Sequence, residues 1–331
     1  MRAQFLRSFG EDARFEAALV DDPVPGAGEV LIEIVATSIN PIECKLRRFG
    51  TDVAPALPAI LGSDIAGHVV RLGPGVDRLA VGDAVFGCIG GVRGMPGAYA
   101  ELAAVDSRLV ALAPRSIPLA HAAALPLAGL TAAEGLERSA VGRGNSVLVL
   151  GASGGVGHLA LHMAKALGAS VHAGLSSQAK LRAALASGTH AGFATSQETV
   201  GDYAMRVTQG SGFDVLFDCT NGIDLDKLFA ATSQGGHVIS LVTRRTCDLG
   251  LLSKKGLSLH AIFIPNPLLT GVGREAFAPR LERIAALVDS GAIPLKVHPE
   301  FFTLDRIGEA HALFESSQAE GKIIVLCRSG T

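Results

Sequence analysis

The fold of this chain is decided by one stretch, Val147-Leu148-Val149-Leu150-Gly151-Ala152-Ser153-Gly154-Gly155-Val156-Gly157. An apolar strand runs into a glycine-rich turn, after which apolar residues recur at helical spacing, at Val156, Leu159, Ala160, Met163 and Leu167. A turn between a strand and a helix directs free backbone N–H groups and the positive end of the helix dipole towards an anion. The pattern therefore predicts a phosphate-binding turn in an α/β domain.

The glycine spacing favours a dinucleotide as the ligand of this turn. The strict frame places glycine at positions 152, 154 and 157, and Ala152 departs from it at the first position. The alternative is a tight turn in another kind of α/β protein. Because a strand precedes the turn and a helix follows it, we interpret the stretch as a dinucleotide site.

The surrounding sequence indicates which dinucleotide binds. Residues 138–197 contain no Asp or Glu, whereas an NAD site usually has an acidic residue about 20 residues beyond the turn to bind the ribose 2′-hydroxyl. Here the predicted second strand is followed by Ser176, Ser177 and Lys180. A cation and hydroxyls suit a 2′-phosphate, so we predict NADPH. The two serines are also suited to capping the next helix, and the two roles are compatible.

Length and composition fit a soluble enzyme of two domains. The chain has 331 residues, of which 48% are hydrophobic and 18% charged, with a formal net charge of −2. It has no block of basic residues, so we expect no nucleic-acid partner. It also lacks an uninterrupted apolar run of about 18 residues and a secretion signal, so we expect no membrane association and a cytoplasmic location.

The cysteines suggest a reducing environment. There are five, scattered along the chain and without a C-x-x-C pair. Such a set is typical of reduced thiols rather than of a disulfide framework.

The pattern of the chain changes twice along its length. Residues 1–118 contain short strand-like runs broken by Gly and Pro, which predicts a mostly-β domain. Residues 119–264 alternate strands and helices, which predicts a doubly wound parallel sheet. Residues 265–331 are expected to return to the first domain. The predicted strands of the middle part are residues 146–151, 170–174, 213–219, 236–242 and 257–264; the last part has predicted helices at 274–290 and 304–316 and a strand at 322–326.

Further motifs occur in order along nearly the whole chain: residues 40–47, 62–67, 73–76, 81–85, 97–101, 129–132 and 321–324. With the glycine-rich turn, they identify the chain as similar to the medium-chain dehydrogenases/reductases, in the zinc-independent quinone oxidoreductase (zeta-crystallin-like) branch. The resemblance implies a GroES-like catalytic domain and a Rossmann domain.

The resemblance also bears on metal binding. Zinc-dependent relatives have Cys at the place of Asn40, His at the place of Ser63 and Cys near the place of Ala128, and none of the residues present here is a competent zinc ligand. The structural zinc of those relatives takes four clustered cysteines, whereas this chain has Cys88 alone in that region. We therefore predict no metal. His158 and His162 stand four residues apart on a helix without a third ligand, and we interpret them as an ordinary helix face.

Without zinc, the reaction must be one that NADPH can drive with modest help. Quinones and conjugated enones accept hydride readily, because the negative charge spreads into a phenolate or an enolate. The leading prediction is an NADPH:quinone oxidoreductase. The alternatives are an NADPH-dependent alkenal/enone double-bond reductase and, less favoured, a non-enzymatic NADPH-binding regulatory protein.

Two residues of the first motif are candidate catalytic residues. The resemblance implies that Lys45 lies near the nicotinamide ribose and the substrate oxygen, where an ammonium of reference pKa about 10.4 would stabilise developing negative charge. The alternative is a solvated surface lysine. Asn40 is a candidate amide donor to the same region, although Asn before Pro is also an ordinary turn starter.

The resemblance and the sheet pattern add further cofactor contacts. Thr131 matches a residue beside the nicotinamide, and Cys219 and Leu241 follow predicted strands at the carboxyl ends, where open α/β sheets bind ligands. Cys219 is alternatively a redox thiol or a small core residue. The predicted contacts of the turn itself are Ser153, Gly154, Gly155, Val156 and Gly157.

Two apolar segments, residues 263–269 and 89–95, are predicted to line the acceptor pocket. In relatives, the strand at residues 258–263 pairs across a dimer axis. We therefore expect a homodimer.

Overall fold

The chain forms two units, one of which is built from both ends of the sequence. A computed structural model describes residues 1–186, 189–220, 222–242 and 246–328. The first unit comprises Met1–Leu130 and Ile264–Thr331, and the second comprises Thr131–Phe263. The last three residues of the predicted 265–331 segment lie outside the described residues.

The strands are β1 (Arg2–Leu6), β2 (Phe15–Leu19), β3 (Glu29–Ser38), β4 (Ala59–Ile60), β5 (Asp64–Leu72), β6 (Ala84–Cys88), β7 (Leu102–Asp106), β8 (Val110–Leu112), β9 (Ser146–Leu150), β10 (Ser170–Leu175), β11 (Ala191–Ala194), β12 (Phe213–Asp218), β13 (Thr232–Ser240), β14 (Ser258–Ala261), β15 (Phe302–Thr303) and β16 (Ile324–Leu326). The helices are α1 (Pro41–Phe49), α2 (Leu119–Ala122), α3 (Pro126–Arg138), α4 (Gly155–Ala166), α5 (Gln178–Ala186), α6 (Val200–Val207), α7 (Leu225–Ala231), α8 (Gly250–Lys255), α9 (Pro265–Thr270), α10 (Phe277–Asp289) and α11 (Ile307–Glu315).

The second unit is built on a parallel sheet of six strands in the order β11-β10-β9-β12-β13-β14. Each neighbouring pair is parallel. The chain moves outwards from β9 in one direction and then returns to fill the other side. This is the strand order of doubly wound dinucleotide-binding folds, with a switch point between β9 and β12 where such sheets bind ligands. The predicted α/β Rossmann fold is confirmed.

The predicted strands of this sheet are observed, and their ends differ from the predicted ones by up to four residues, at the start of β13. The exception is β11, which the sequence analysis did not predict. Its four residues are small except for Phe193, so they show no alternation of apolar and polar residues. A Cβ atom at Gly192 would lie 2.3 Å from the carbonyl oxygen of Ala173, so this strand requires glycine to pair closely with β10.

The helix after the glycine-rich turn buries most of the predicted face, although Val156 is only half-buried. Leu159, Ala160 and Met163 are buried. The prediction for Leu167 was wrong, since its side chain is 49% exposed. Leu167 is the C-cap of α4, and Gly168 then turns the chain with φ of +87°. The helix therefore ends before Leu167 can face the sheet.

The first unit is mostly β, as predicted. Its larger sheet has the order β15-β16-β3-β5-β6-β8, with β7 also paired to β3. The ten-residue strand β3 pairs antiparallel with β5, β7 and β16. Because β16 comes from the end of the chain, this pairing brings the C-terminal segment beside the start of α1. No helix of the described residues is long and apolar enough to cross a membrane.

The closest backbone approach at the turn supplies a test of the fold. A Cβ atom at Gly157 would lie 2.3 Å from the carbonyl oxygen of Gly151, whereas one at Gly142 would meet nothing within 4 Å. We expect Gly157→Ala to lower the free energy of unfolding by about 1–3 kcal/mol through overpacking. The measurement is urea denaturation, with Gly142→Ala as the control. Equal midpoints for the two variants would contradict the close approach.

Candidate active site

The glycine-rich turn lies at the carboxyl end of β9 and leads directly into α4. Gly151 has φ of +76°, and its N–H donates to the carbonyl of Gly174 at 2.9 Å. The N–H of Gly154 donates to the carbonyl of Gly151 at 3.0 Å and closes the turn. Gly154 is the N-cap of α4, and within the described part of the chain no side chain caps this end. The first N–H groups of α4 are therefore available to a ligand.

Two predicted cofactor contacts lie at the same edge of the sheet as the turn. The N–H of Cys219, directly after β12, donates to the carbonyl of Leu150 at 3.1 Å. The N–H of Leu241, directly after β13, donates to the carbonyl of Asp218 at 3.3 Å. The turn and both residues thus meet at adjacent carboxyl ends, next to the switch point.

The end of β10 brings together the residues predicted to bind a 2′-phosphate. The Lys180 ammonium donates to Ser176 Oγ at 3.1 Å, and both residues are exposed. The backbone N–H of Lys180 donates to Ser177 Oγ at 3.4 Å, which is the capping contact expected as the alternative. The capping contact of Ser177 and the contact of Ser176 with Lys180 therefore lie in one turn of the chain. A cation and a hydroxyl in contact, in an acid-free part of the sequence, fit the 2′-phosphate of NADPH.

Burial bears on the roles that Cys219 and Thr131 can have at the cofactor site. Burial raises the pKa of the Cys219 thiol well above its usual range, and the charge of Asp218 raises it further. The protonated thiol is a poor nucleophile, which favours a packing role over a redox role for Cys219. Thr131 is buried on α3.

The two candidate catalytic residues lie at the start of α1, in the first unit. Asn40 is the N-cap, and its backbone N–H donates to Glu43 Oε2 at 2.7 Å. This capping box explains why a helix begins at the Asn-Pro pair. Lys45 is exposed, and its ammonium has no hydrogen bond or ion pair with the residues that the structure describes. Its catalytic role stays a prediction.

The Asn40 side chain is fully engaged within the protein. Its Nδ2 atom donates to Asp64 Oδ2 at 2.8 Å and to Glu43 Oε1 at 3.3 Å. Its Oδ1 atom accepts a hydrogen bond from the Lys322 ammonium. A hydrogen bond from Asn40 to a substrate would have to replace one of these contacts. The amide is therefore placed to organise its charged neighbours, and donation to a substrate stays a prediction.

Asp64 lies at the centre of this buried network. Its Oδ2 atom accepts from Ser38 Oγ at 2.6 Å, and its Oδ1 atom accepts from the Leu127 N–H at 2.7 Å. The Lys322 ammonium lies 3.4 Å from Oδ2, with side-chain exposures of 10% for Lys322 and 0% for Asp64. The same ammonium donates to the carbonyl of Ile39 at 2.9 Å. A buried ion pair persists only when its remaining hydrogen-bonding capacity is used, as it is here.

Glu43 is the second buried carboxyl group of this network, in which Lys322 is the only lysine among the residues described above. Its Oε1 atom also accepts from the Ser63 N–H at 3.0 Å. Burial raises the pKa of Glu43 to about 7; the Lys322 charge opposes the shift and the Asp64 charge adds to it. The network therefore contains two acids and one cation, and its raised pKa allows Glu43 to take up a proton near neutral pH.

The sequence analysis did not predict Asp64, Lys322 or Glu43 as site residues. Each of the three lies in a motif that carried the family resemblance. The available signal was a charged residue within or beside an apolar strand, at Asp64 and Lys322. A buried charge needs a partner, so two such residues of opposite sign suggest a pair.

The positions that bind zinc in dehydrogenase relatives do not fit a metal here. The Asn40 amide is held by the network, and Ser63 Oγ donates to the carbonyl of Gly90 at 2.9 Å. Ala128 has no donor atom. Across residues 1–186, 189–220, 222–242 and 246–328, no three His, Cys, Asp or Glu side chains are grouped to hold a metal ion. The residues at these positions therefore do not fit the catalytic zinc of those relatives.

The histidine pair on α4 is packed within the helix face. The rings of His158 and His162 have centroids 4.6 Å apart. Burial lowers the pKa of His162 to about 4, and the charges of His158 and Lys165 lower it further. The ring is thus neutral at pH 7. These contacts favour the interpretation of an ordinary helix face.

Two known family models match separate parts of the chain. Residues 26–115 match the family model described as alcohol dehydrogenase GroES-like domain, and residues 190–325 match the model described as zinc-binding dehydrogenase. The second description contrasts with the residues at Asn40, Ser63 and Ala128, where zinc ligands would be needed.

Curated relatives are similar over most of the chain. A 2-methylene-furan-3-one reductase from tomato (Solanum lycopersicum) is 33% identical over 90% of this chain and 71% of its own length. An NADPH-dependent alkenal/one oxidoreductase from Arabidopsis thaliana is 32% identical over 90% of this chain and 72% of its own length. Human quinone oxidoreductase is 28% identical over 92% of this chain and 91% of its own length.

Solved structures share the fold over the full length. An alcohol dehydrogenase superfamily protein from Novosphingobium aromaticivorans has a TM-score of 0.94 and 36% identity, over 99% of this chain and 100% of that one. A mycobacterial protein complexed with NADPH has a TM-score of 0.84 and 26% identity, over 99% and 100%. The chain therefore belongs to the medium-chain dehydrogenase/reductase superfamily, in the quinone oxidoreductase branch that its motifs predicted.

The buried network supplies a test based on pH. Removing the cation with Lys322→Met leaves two buried carboxyl groups unpaired, and we expect the free energy of unfolding to fall by about 3–5 kcal/mol. Because the folded-state pKa of Glu43, about 7, exceeds the value of about 4.3 for an unfolded Glu, its contribution to stability is present at low pH. This contribution is lost as the pH rises through the folded-state pKa.

Without Lys322 the pKa of Glu43 rises further, so the loss of stability should be larger at pH 8 than at pH 6. Urea denaturation at the two pH values measures it, with Lys296→Met, at an exposed lysine of the same unit, as the control. A loss that does not depend on pH, or one equal to that of the control, would show that Lys322 does not balance the two acids.

Proposed function

We propose that this protein is a zinc-independent, NADPH-dependent oxidoreductase that transfers hydride to a quinone. The observation that carries the proposal is the buried network of Asn40, Glu43, Asp64 and Lys322. Asn40 of this network stands at one of the three positions that bind the catalytic zinc in dehydrogenases of the same superfamily. Ser63 and Ala128 stand at the other two. The reaction must therefore suit an acceptor that needs no Lewis acid.

The second unit supplies the cofactor-binding residues of the proposal. The turn from Ser153 through Gly154, Gly155 and Val156 to Gly157 holds the pyrophosphate with backbone N–H groups. Ser176, Ser177 and Lys180 hold the 2′-phosphate, while Thr131, Cys219 and Leu241 lie along the rest of the cofactor. When bound, NADPH supplies the hydride.

The proposed acceptor class follows from how the negative charge left by hydride transfer is distributed over the acceptor. Hydride addition to a simple ketone leaves a full negative charge on one oxygen, which calls for a Lewis acid or a positioned proton donor. Addition to a quinone spreads the charge over a phenolate. The exposed ammonium of Lys45 is proposed to stabilise that charge, and Asn40 to fix the segment from which Lys45 projects.

A second candidate function is the reduction of a conjugated C=C bond in an alkenal or enone. It is favoured by the names of two relatives, the tomato furanone reductase and the Arabidopsis alkenal/one oxidoreductase. The enolate formed there spreads charge as a phenolate does. The same residues therefore serve both candidate reactions, and the acceptor distinguishes them.

We propose further that residues 119–264 form the NADPH-binding domain, and that residues 1–118 and 265–331 form the catalytic domain. The protein is proposed to be a cytoplasmic homodimer that acts on small molecules, without nucleic-acid or membrane partners. What supports the dimer is the edge position of β14 in the sheet, since an unpaired edge strand presents free N–H and C=O groups to a second copy.

The cofactor assignment is tested at Lys180. Removing its ammonium in Lys180→Ala should weaken NADPH binding about tenfold, since a charge-assisted contact to the 2′-phosphate is worth about 1.5–3 kcal/mol. NADH binding should change by less than about twofold, because NADH has no 2′-phosphate. Fluorescence titration of both cofactors measures this. Lys165→Ala, at the far end of α4, is the control, and equal weakening of both cofactors would place the 2′-phosphate site elsewhere.

The reaction is tested by NADPH oxidation with a panel of acceptors. We expect turnover of ortho- or para-quinones, with kcat/KM for NADPH well above that for NADH. Turnover restricted to enals and enones would replace the quinone proposal with the second candidate. If no acceptor is turned over, the protein is an NADPH-binding protein rather than an enzyme.

A further inference from the structure

Two segments were predicted to line the acceptor pocket, and their residues 89–95 and 264–269 are each held in a defined conformation within the first unit. The loop of residues 89–95 begins where the Ile89 N–H donates to the Ser63 carbonyl at 2.7 Å. Gly90 has φ of +131°, and a Cβ atom there would lie 2.4 Å from the Cβ of Met95. The loop therefore folds back on itself, and the buried network lies at its base through Ser63.

The second segment is the short helix α9. It ends at Gly271, which has φ of +77° and donates its N–H to the carbonyl of Pro267 at 2.9 Å. Gly273 follows with φ of +90°. Two left-handed positions so close together turn the chain sharply, and they direct Arg274 back towards the helix that has just ended.

The guanidinium of Arg274 joins the loop to this helix. Its Nε donates to the carbonyl of Pro267 at 3.2 Å, and its Nη2 donates to the carbonyl of Leu268 at 2.6 Å. The same Nη2 lies 3.2 Å from Met95 Sδ. Its Nη1 lies 3.2 Å from Asp106 Oδ2, and the side chain is only 19% exposed.

Asp106 fixes the orientation of this guanidinium. Its Oδ1 atom accepts from the backbone N–H of Arg108 at 3.0 Å, and its Oδ2 atom also accepts from the Arg108 side chain at 2.6 Å. The contacts with Arg108 therefore fix the carboxylate at the end of β7 independently of Arg274. A planar guanidinium can contact several acceptors at once in a fixed arrangement, which a lysine ammonium cannot.

We propose that Arg274 is a specificity-determining positioning residue, which fixes the separation between the loop of residues 89–95 and α9 and so sets the size of acceptor that the enzyme uses. The inference rests on the proposed function. Arg274 acts through Met95 and Leu268 rather than by touching the acceptor. Its loss should therefore change the choice of acceptor while cofactor binding stays the same.

The test compares a small quinone, 1,4-benzoquinone, with a large one, 9,10-phenanthrenequinone. In Arg274→Gln we expect the widened pocket to orient the small quinone poorly and lower its kcat/KM about tenfold, as small misplacements commonly do. The large quinone should lose much less, so the ratio of the two kcat/KM values shifts. The KM for NADPH should stay within about twofold.

Two further variants separate positioning from general stability. Met95→Leu keeps the side-chain volume but removes the sulfur acceptor, and it should shift the ratio in the same direction by less. Arg78→Gln is the matched control, since Arg78 also donates to backbone carbonyls, at Ser107 (2.7 Å) and Val110 (2.6 Å), without touching either segment. It should lower the thermal midpoint and leave the ratio unchanged.

An unchanged ratio in Arg274→Gln, or an equal shift in Arg78→Gln, would overturn the inference and leave the proposed function intact. If the wild-type protein oxidises NADPH with neither quinone, the proposed function fails and the inference fails with it. If Arg274→Gln does not fold, the ratio for Met95→Leu decides, because this variant leaves the Arg274 contacts to α9 in place.

Discussion

The buried carboxylate of Asp64 in β5 is bound by residues from three other segments of the first unit. It accepts hydrogen bonds from Ser38 at the end of β3, from Asn40 before α1 and from Leu127 in α3, and it pairs with Lys322 near the end of the chain. A bare buried carboxylate would cost several kcal/mol, so these contacts are a condition of the fold rather than an addition to it. They also explain why the C-terminal segment has to return to β3.

The same contacts decide what chemistry this part of the protein is suited to. In a zinc dehydrogenase the positive charge that stabilises the substrate oxygen comes from the metal. Here the cation in contact with Asn40 is Lys322, and its ammonium is already bound to Asp64, Asn40 and the Ile39 carbonyl. The ammonium of Lys322 is therefore not available to a localised oxyanion. Acceptors that spread their own charge, such as quinones and enones, are the ones that fit this arrangement.

The sequence predicted the features that depend on local pattern. The glycine-rich turn, the strands around it and the pair of Ser176 with Lys180 are each encoded within a few residues, and the structure places them at one edge of one sheet. Leu167 was misplaced because helical spacing alone does not reveal where a helix ends. β11 was missed because its small residues carry no alternation.

The remaining features depend on contacts between distant parts of the chain. Lys322 contacts Asp64, from which it is separated by 258 positions in the sequence, and Arg274 contacts Met95 at a separation of 179 positions. No local spacing encodes such a contact. The three charged residues of the network were visible as members of motifs, but their partnership required the antiparallel pairing of β16 with β3.

Hydride transfer by this protein is expected to need an activated acceptor and no metal. The direct test is stopped-flow NADPH oxidation by protein freed of metal with a chelator, using a quinone, an enone and a simple ketone in parallel. We predict full turnover of a conjugated acceptor, no turnover of the ketone, and no change when zinc is added back. Loss of activity on metal removal, with recovery on adding zinc, would contradict the account.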